Sequence, residues 1–431
     1  ERRKCVSQDQ PYQVQAITPD ARLDLGDLPV GAEFFLLLKN ALNRLSKGQI
    51  LEVKSDWINI KDDVQSWCRL HQYTFLAALD GGNHYRFLIQ NEEQAQSDKP
   101  DWGIKLPLRK GEKLDIRDWF EGRMGHLLEL APSYVGFVPR GAVPEPGVPD
   151  FGFTLNAKDD VWATNVLDLY EQAKESQWNA STDIPWSELP QLADDLEWAV
   201  CQVMTFLAEN EYSALYVPAK FMAKINPHYI EVMMYLSTLV QDEARHIEAF
   251  IKRALANGGG LQYSSTLTER SLHSLFIQED YFKSSFLLHV LGEGTFLDLL
   301  HYVEAHAPDP VTRKIVHLAK VDEGRHVAYG IGHVRHILSK HPGMAKSLLE
   351  AAEERNKYLS QPGTGENSFL MEALAILGGG GRSPQQLKEG FAKVRQLQEE
   401  MHHNRIRRML QIGLDEETAV KISEQHTENF M

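Results

Sequence analysis

The sequence predicts a mainly α-helical protein, with a four-helix bundle at its centre, a small α+β unit before it and a helical extension after it. Three observations lead to this fold class. From Trp162 onward, apolar residues recur at the spacing of amphipathic helices. Strand signals are confined to residues 1–95, and a stretch rich in Pro and Gly, residues 96–160, separates the two regions. The 431-residue chain is long enough for two or three domains.

Helix and strand signals alternate within residues 1–95, which we interpret as one small domain. Apolar residues at helical spacing predict its helices, and short apolar runs bounded by turn residues predict its strands. In chain order, the predicted elements are a helix at 31–45, a strand at 49–54, a helix at 62–70 and a strand at 84–90.

The connector, residues 96–160, carries many aromatic residues, so we expect it to pack against its neighbours; a lid is the alternative interpretation. Helical signals then continue to the C-terminus. We assign residues 161–345 to the bundle and residues 346–431 to the extension. The four long amphipathic segments of the bundle lie at about 190–217, 228–256, 271–305 and 311–339.

Composition excludes several classes of function. The formal net charge of -15 argues against a nucleic-acid partner, because phosphate binding needs clustered Lys and Arg. No apolar run has the length needed to cross a membrane. The three cysteines, Cys5, Cys68 and Cys201, are too far apart for a zinc ribbon or a redox pair, and this pattern is typical of a reducing cytosol. We therefore expect a cytoplasmic protein.

Two pentapeptides 80 residues apart are nearly identical. They read Asp-Glu-Ala-Arg-His at 242–246 and Asp-Glu-Gly-Arg-His at 322–326. On a helix, residues three apart share a face, so in each copy the Glu and the His can reach one metal ion. The four ionisable residues Glu243, His246, Glu323 and His326 fall in phase with the apolar stripes of their helices, where an unpaired charge is costly.

The other two helices each offer one carboxylate in a similar position. Glu293 lies in phase with the apolar stripe of the third helix, and Glu211 in phase with that of the first. The intervals agree, since 32 residues separate Glu211 from Glu243 and 30 separate Glu293 from Glu323. Glu209 is an alternative to Glu211, on another face of the same helix.

Each pentapeptide also contains an Asp and an Arg. One interpretation is that Asp242 and Asp322 accept hydrogen bonds from the ligand imidazoles and pair with Arg245 and Arg325, which would fix the histidine tautomers. The other interpretation is two surface ion pairs. Duplication of the motif favours the first.

These residues resemble those of the ferritin-like dinuclear iron oxygenases and oxidases, over about residues 161–340. The resemblance implies six metal ligands, of which the four carboxylates would also be catalytic as they change their coordination. Departures at three positions separate the chain from known subfamilies: Phe250 replaces the radical tyrosine of reductase subunits, Leu297 the threonine of methane-type hydroxylases, and Ala319 the additional histidine of arylamine N-oxygenases. The implied ligands are Glu211, Glu243, His246, Glu293, Glu323 and His326.

The resemblance implies a cofactor of two Fe ions, or Mn and Fe, and a reaction that uses dioxygen to oxidise a small organic substrate. Because the sequence has no glycine-rich nucleotide fingerprint, we expect electrons from a partner protein or a small reductant. A homodimer is expected on general grounds only. The alternatives are a ferroxidase or iron-handling protein, and a non-catalytic adaptor. We interpret His289, His301 and His317 as ordinary helix residues.

The N-terminal domain resembles the TusA/SirA sulfur-carrier fold in the segments 23–31, 36–42, 48–53 and 63–68. That family carries a Cys-Pro-x-Pro motif at the start of its first helix, where this chain has Leu28-Pro29-Val30-Gly31. The nucleophilic cysteine is absent, and we interpret Cys68 as a packed core thiol. The expected role is docking or dimerisation.

Overall fold

The computed structural model of the protein describes residues 17–57, 60–91, 127–132, 136–142, 144, 147–359 and 367–426. Cys5 and the connector residues 96–126 lie outside the described residues. The chain divides into two compact units, Glu1–Asp101 and Trp102–Met431. The expected fold class, a mainly helical chain with a small N-terminal sheet domain, is confirmed.

The N-terminal unit contains a four-stranded sheet and two helices. In the sheet, β1 pairs in parallel with β2, and β4 pairs antiparallel with both β2 and β3, which gives the strand order β1-β2-β4-β3. The elements are β1 (Ala21–Asp24), α1 (Ala32–Leu42), β2 (Ile50–Ser55), α2 (Lys61–Leu70), β3 (Thr74–Asp80) and β4 (Tyr85–Gln90).

One apolar core stabilises this unit. Phe34 and Leu38 of α1 and Val64 of α2 are fully buried against the inner face of the sheet, where Val53 and Phe87 point. Burial of such side chains stabilises the fold by about 1.5–3 kcal/mol each. The two helices and the strands β2 and β4 lie near their predicted positions, whereas β1 and β3 were not predicted from the sequence.

The larger unit is helical. Two short helices, α3 (Lys158–Val161) and α4 (Val166–Glu175), precede the bundle. The remaining helices are α5 (Asp194–Met222), α6 (Ile230–Ala256), α7 (Thr266–Phe276), α8 (Tyr281–Ser285), α9 (Glu293–His306), α10 (Pro310–Lys340), α11 (Ala345–Leu359), α12 (Ser368–Gly379), α13 (Pro384–Ile412) and α14 (Glu416–Glu424).

Helices α5, α6, α9 and α10 correspond to the four predicted segments, with one difference in the third. The chain leaves α7 after Phe276 and starts α8 at Tyr281, where the Asp280 side chain accepts a hydrogen bond from the backbone N–H of Lys283. A π-helical segment, Phe286–Gly292, then joins α8 to α9. The predicted continuous helix at 271–305 is therefore interrupted, because Asp280 is a favourable N-cap for a new helix.

Two apolar clusters fill the bundle, one towards each end of the long helices. One contains Leu236 and Leu239 of α6, and the other contains Ala249 and Phe250 of the same helix. The polar pentapeptide of α6 lies between these two clusters. Of the helices that the structure describes, none has the length and apolar character to cross a membrane.

Candidate metal centre

The two Glu-x-x-His pairs lie on α6 and α10, and their side chains face each other. Both Glu243 and Glu323 are fully buried, as are His246 and His326. His246 Nδ1 lies 3.2 Å from Glu243 Oε2 and 3.5 Å from Glu323 Oε1. His326 Nδ1 lies 2.9 Å from Glu243 Oε1 and 3.4 Å from Glu323 Oε2. Each imidazole therefore contacts carboxylates of both helices.

Helices α5 and α9 complete the cluster. Glu211 Oε1 lies 3.4 Å from His246 Nδ1, and Glu293, on α9, is also buried. The potential ligand atoms form two groups, in each of which all atoms lie within 4.8 Å of one another. Both groups include Glu243 and Glu323. One group adds Glu211 and His246, and the other adds Glu293 and His326.

Several buried atoms of this cluster have no hydrogen-bond partner among the described residues. They include one carboxylate oxygen each of Glu211, Glu243 and Glu293, both carboxylate oxygens of Glu323, and Nδ1 of His326. Buried polar atoms are almost always hydrogen-bonded, because an unsatisfied one costs about 1–3 kcal/mol. Orphaned oxygens and nitrogens that converge on two points fit a pair of metal ions, which would satisfy all of them.

The charges of the cluster lead to the same conclusion. Burial and the neighbouring carboxylates raise the pKa of Glu211 well above its usual value, and burial raises that of Glu293. Burial opposes ionisation of Glu243 as well, yet its contacts with the two imidazoles lower its pKa. The pKa values of His246 and His326 are raised, because the surrounding carboxylates outweigh burial. Two divalent ions would replace these protons and balance four carboxylates.

The Asp and Arg residues of the pentapeptides form a crossed network. Asp322 Oδ2 lies 3.2 Å from His246 Nε2, and Asp242 Oδ2 lies 3.3 Å from His326 Nε2, so each imidazole contacts the aspartate of the opposite helix. Arg245 Nη2 bonds to both aspartates, and so does Arg325 Nη2. All four residues are buried, which rules out the interpretation as surface ion pairs.

Trp178 extends this network. Its indole N–H donates to Asp322 Oδ2 over 2.7 Å, and its ring stacks on His246 at a centroid distance of 6.2 Å. The guanidinium carbon of Arg245 lies 5.2 Å from the same ring. Trp178, in the segment before α5, thus fixes the orientation of the His246 imidazole, because it holds the Asp322 carboxylate that contacts this imidazole.

Glu209 and Glu211 have different surroundings. Glu209 points away from the cluster and accepts a hydrogen bond from Ser264, while its second oxygen has no partner. Burial and the neighbouring Glu269 raise the pKa of Glu209 to about 7. The structure therefore brings Glu211, and not Glu209, to the other five residues. His301 and His317 are exposed, as expected of ordinary helix residues.

His289 is not the ordinary helix residue that its sequence context predicts. This residue is buried in the π-helical segment, and its Nδ1 lies 2.7 Å from Glu293 Oε2. A Cβ at Gly330 of α10 would lie 2.4 Å from His289 Cβ, so the close approach of the two helices requires the glycine. π-Helical turns are frequent at functional sites. The four-residue spacing of His289 and Glu293 was the available signal.

A group of buried tyrosines lies beside the cluster on α6, α8 and α10. Tyr235 donates to the backbone carbonyl of Arg325 over 2.9 Å, which ties α6 to α10 next to His326. The hydroxyls of Tyr281 and Tyr329 are hydrogen-bonded to each other at 2.7 Å. Burial raises the pKa of all three phenols, so these hydroxyls stay protonated at neutral pH.

A cavity of about 370 Å³, including its open mouth, adjoins the cluster. Glu211 and Glu293 form part of its wall, and Arg355 contributes a positive charge. Most of the remaining wall is apolar. The apolar side chains are Ala214, Leu272, Leu275, Leu288 and Phe296.

Solved structures similar to this chain are those of R2-like ligand-binding oxidases. A variant with an aerobically reconstituted Mn/Fe cofactor has 17% sequence identity and a TM-score of 0.44, and the match covers 60% of this chain and 94% of the other. A variant with an aerobically reconstituted Fe/Fe cofactor gives the same identity, score and coverage. A third, with an anaerobically reconstituted Mn/Fe cofactor, has 17% identity and a TM-score of 0.46 over 58% and 94%. The search of curated proteins found no match.

The N-terminal unit matches a family described as sulfurtransferase TusA, over residues 34–91. This segment includes most of α1 and every later element of the sheet domain. Cys68 lies within it, fully buried, and burial raises the pKa of its thiol to about 12, so the thiol is unreactive at neutral pH. The family match confirms the expected resemblance of the N-terminal domain to TusA. This TusA-like domain precedes, in the same chain, a helical unit with a candidate dinuclear metal centre.

Proposed function

We propose that this protein is an oxygen-dependent oxidoreductase with two Fe ions, or Mn and Fe, between α5, α6, α9 and α10. The observation that carries the proposal is the pair of ligand groups that share Glu243 and Glu323. Carboxylate oxygens with one imidazole in each group suit Fe and Mn. When bound, two such ions supply activation of dioxygen. The proposed substrate is a small organic molecule.

The side chains of the cluster would have distinct tasks. Glu243 and Glu323 would contact both ions, since they belong to both groups. Glu211 with His246 would hold one ion, and Glu293 with His326 the other. The crossed aspartates would keep Nε2 of each imidazole hydrogen-bonded, which leaves Nδ1 to face the metal.

The adjoining cavity favours an organic substrate over simple iron handling. Its wall reaches the cluster at Glu211 and Glu293, and apolar side chains such as Leu288 and Phe296 form much of the remainder. An iron store needs a hydrophilic path for hydrated ions, whereas apolar walls bind organic molecules and exclude water. Electrons would come from a partner protein or a small reductant.

Metal content and oxygen uptake test this proposal. We would load the full chain anaerobically with Fe(II), measure iron by mass spectrometry, and then follow dissolved oxygen and the visible spectrum with ascorbate as reductant. The expected result is about two ions per chain and oxygen uptake beyond that needed to oxidise them once. Glu211→Gln should lower both values, while the matched control Glu209→Gln should leave both unchanged.

Other results would select a different function. One round of oxygen uptake that stops when Fe(II) is exhausted, in the presence of reductant, would favour a ferroxidase. A chain that binds neither iron nor manganese would contradict the proposal and favour the adaptor.

A further inference from the structure

Arg355 is a buried positive charge without a counter-charge. It lies on α11 with 2% of its surface exposed. Burial lowers the pKa of its guanidinium to about 10, so the group remains charged at neutral pH. Within the part of the chain that the structure describes, no acidic side chain forms an ion pair with it. Buried charges are normally paired, because an uncompensated one is costly.

Neutral groups hold the guanidinium in place. Arg355 Nη2 donates to Ser271 Oγ over 2.7 Å, and Nη1 donates to Ser274 Oγ over 3.1 Å and to the Ser271 carbonyl over 3.3 Å. The two serines are three residues apart on α7, so they share one face of that helix. These contacts orient the guanidinium but do not neutralise it.

Part of the guanidinium is left without a partner. It has five N–H groups and makes three hydrogen bonds, which leaves two N–H groups. Nε is among the buried nitrogens for which the described part of the chain supplies no hydrogen-bond partner. A planar group with unsatisfied donors matches the two oxygens of a carboxylate or a similar anion.

Arg355 also lines the cavity beside the metal centre. In that cavity it shares the wall with Glu211 and Glu293, and with apolar side chains that include Leu275 and Phe296. Arg355 lines a second, larger cavity as well, of about 640 Å³ with its open mouth, whose wall also carries Lys283, Glu279 and Glu354. Arg355 can therefore be reached from this outer cavity, whose other charged side chains are of both signs.

We propose that Arg355 binds the anionic group of the organic substrate, and that the substrate is a small organic anion with an apolar body. This inference rests on the proposed function. The charged group of the substrate would pair with Arg355. The apolar body of the substrate would lie along Leu275 and Phe296, towards Glu211 and Glu293. The part of the molecule next to these two carboxylates would be the part that reacts, while the anionic group would stay away from the metal ions.

Calorimetric titration with matched probes tests the inference. The probes are 3-phenylpropionate and 3-phenylpropanamide, which have the same apolar body and differ in charge. We would titrate each into the full chain, both metal-free and loaded anaerobically with Fe(II). The expected result is at least about tenfold tighter binding of the carboxylate in both preparations, as for other charge-assisted bidentate pairs.

Two variants separate Arg355 from a general effect of buried arginines. Arg355→Met should weaken binding of the carboxylate by about tenfold or more and leave binding of the amide unchanged. Arg405→Met is the matched control, because Arg405 is also fully buried, has a pKa lowered to about 10 by burial, and is not part of this cavity wall. It should leave both affinities unchanged.

Three outcomes would overturn the inference. They are equal affinity for the two probes in the unmodified chain, no measurable binding of the carboxylate, and a preference for the carboxylate that persists in Arg355→Met. The first two need no variant, so a failure of Arg355→Met to fold does not affect them. Measurement on the metal-free chain also separates this inference from the proposed function. Oxygen uptake without a preference for the carboxylate would contradict the inference alone. A preference for the carboxylate without oxygen uptake would contradict the proposed function alone.

Discussion

The two helical hairpins of the bundle, α5 with α6 and α9 with α10, have the same plan. Each supplies one Glu from its first helix and a Glu-x-x-His pair from its second, with 32 residues between Glu211 and Glu243 and 30 between Glu293 and Glu323. Each second helix places its Asp against the ligand histidine of the other hairpin, and its Arg against the aspartate of the other hairpin. The shared plan gives two similar groups of ligands around one centre.

The first helices differ. Helix α5 is regular through Glu211, and the residue four positions earlier is the buried, apolar Leu207. The corresponding position before Glu293 is His289, which lies in the π-helical segment and contacts that carboxylate. The two groups of ligands are therefore not equivalent, since Glu293 contacts His289, which belongs to neither group, whereas Glu211 contacts His246 of its own group.

The largest effect should come from a ligand that both groups share. Glu243→Ala should reduce the content of both metal ions by about tenfold or more, because Glu243 belongs to both groups. Mass spectrometry of the Fe(II)-loaded chain measures the content, and a melting experiment should show that added metal no longer raises Tm. Glu209→Ala is the control. Two ions retained in Glu243→Ala would contradict the ligand assignment.

Loss of a carboxylate that belongs to only one ligand group should remove about half of the bound metal. Glu211→Ala should leave about one ion per chain, and so should Glu293→Ala, because each residue belongs to one group only. The double variant Glu211→Ala/His246→Ala should still retain about one ion, since both residues hold the same ion. Loss of both ions in either single variant would show that the two positions fill together.

His289 tests the asymmetry between the hairpins directly. His289→Gln should keep two ions but weaken the affinity of one of them by about tenfold, because Glu293 loses the partner that orients it. Titration of the metal-free chain with Fe(II) under anaerobic conditions gives the two affinities. The control is Leu207→Met in the first hairpin, which preserves side-chain volume and should leave both affinities unchanged.

The smallest effect concerns stability against pH. Seven residues after the ligand histidines, the first hairpin has Arg253, which is paired with Glu197 and Asp309, and the second has His333, which bonds to Ser285. Burial lowers the pKa of His333 to about 3, below its ordinary value of about 6.5. As the pH falls, His333 therefore takes up a proton in the unfolded chain before it does so in the folded chain. The contribution of His333 to stability is present above pH 6.5 and is lost as the pH falls below this value.

Denaturant unfolding at pH 7 and pH 5 measures this contribution. The free energy of unfolding of the unmodified chain should fall by about 2 kcal/mol more than that of His333→Gln over this interval. Groups common to both chains cancel in the comparison. Equal losses in the two chains would show that His333 can be protonated within the fold.

Much of the site could be predicted because charged residues in phase with an apolar stripe are rare. Glu243 and Glu323 occupy positions where burial without metal or partner is costly, and the same phase separates Glu211 from Glu209. The crossed pairing of Asp242 and Asp322 could not be predicted, since it depends on how closely two helices approach in the folded chain.

The π-helical segment was also beyond a prediction from periodicity. Phe286–Gly292 has an apolar pattern that fits a regular helix, and its wider turn shows only in the backbone of the folded chain, where His289 packs closely against Gly330 of α10. In α9, which follows this segment, Phe296 is buried and Leu297 is half-buried. In the N-terminal domain, β1 was missed because it is short and alternates apolar with charged residues at the sheet edge.

The crossed contacts between aspartates and histidines would make metal uptake conditional on complete folding. A chain in which only the first hairpin has formed has His246 without Asp322, and it lacks the carboxylates that α9 and α10 contribute. Partly folded copies would thus bind iron weakly. Such copies would carry little redox-active iron, so the architecture of the centre would also limit stray oxidants during synthesis of the protein.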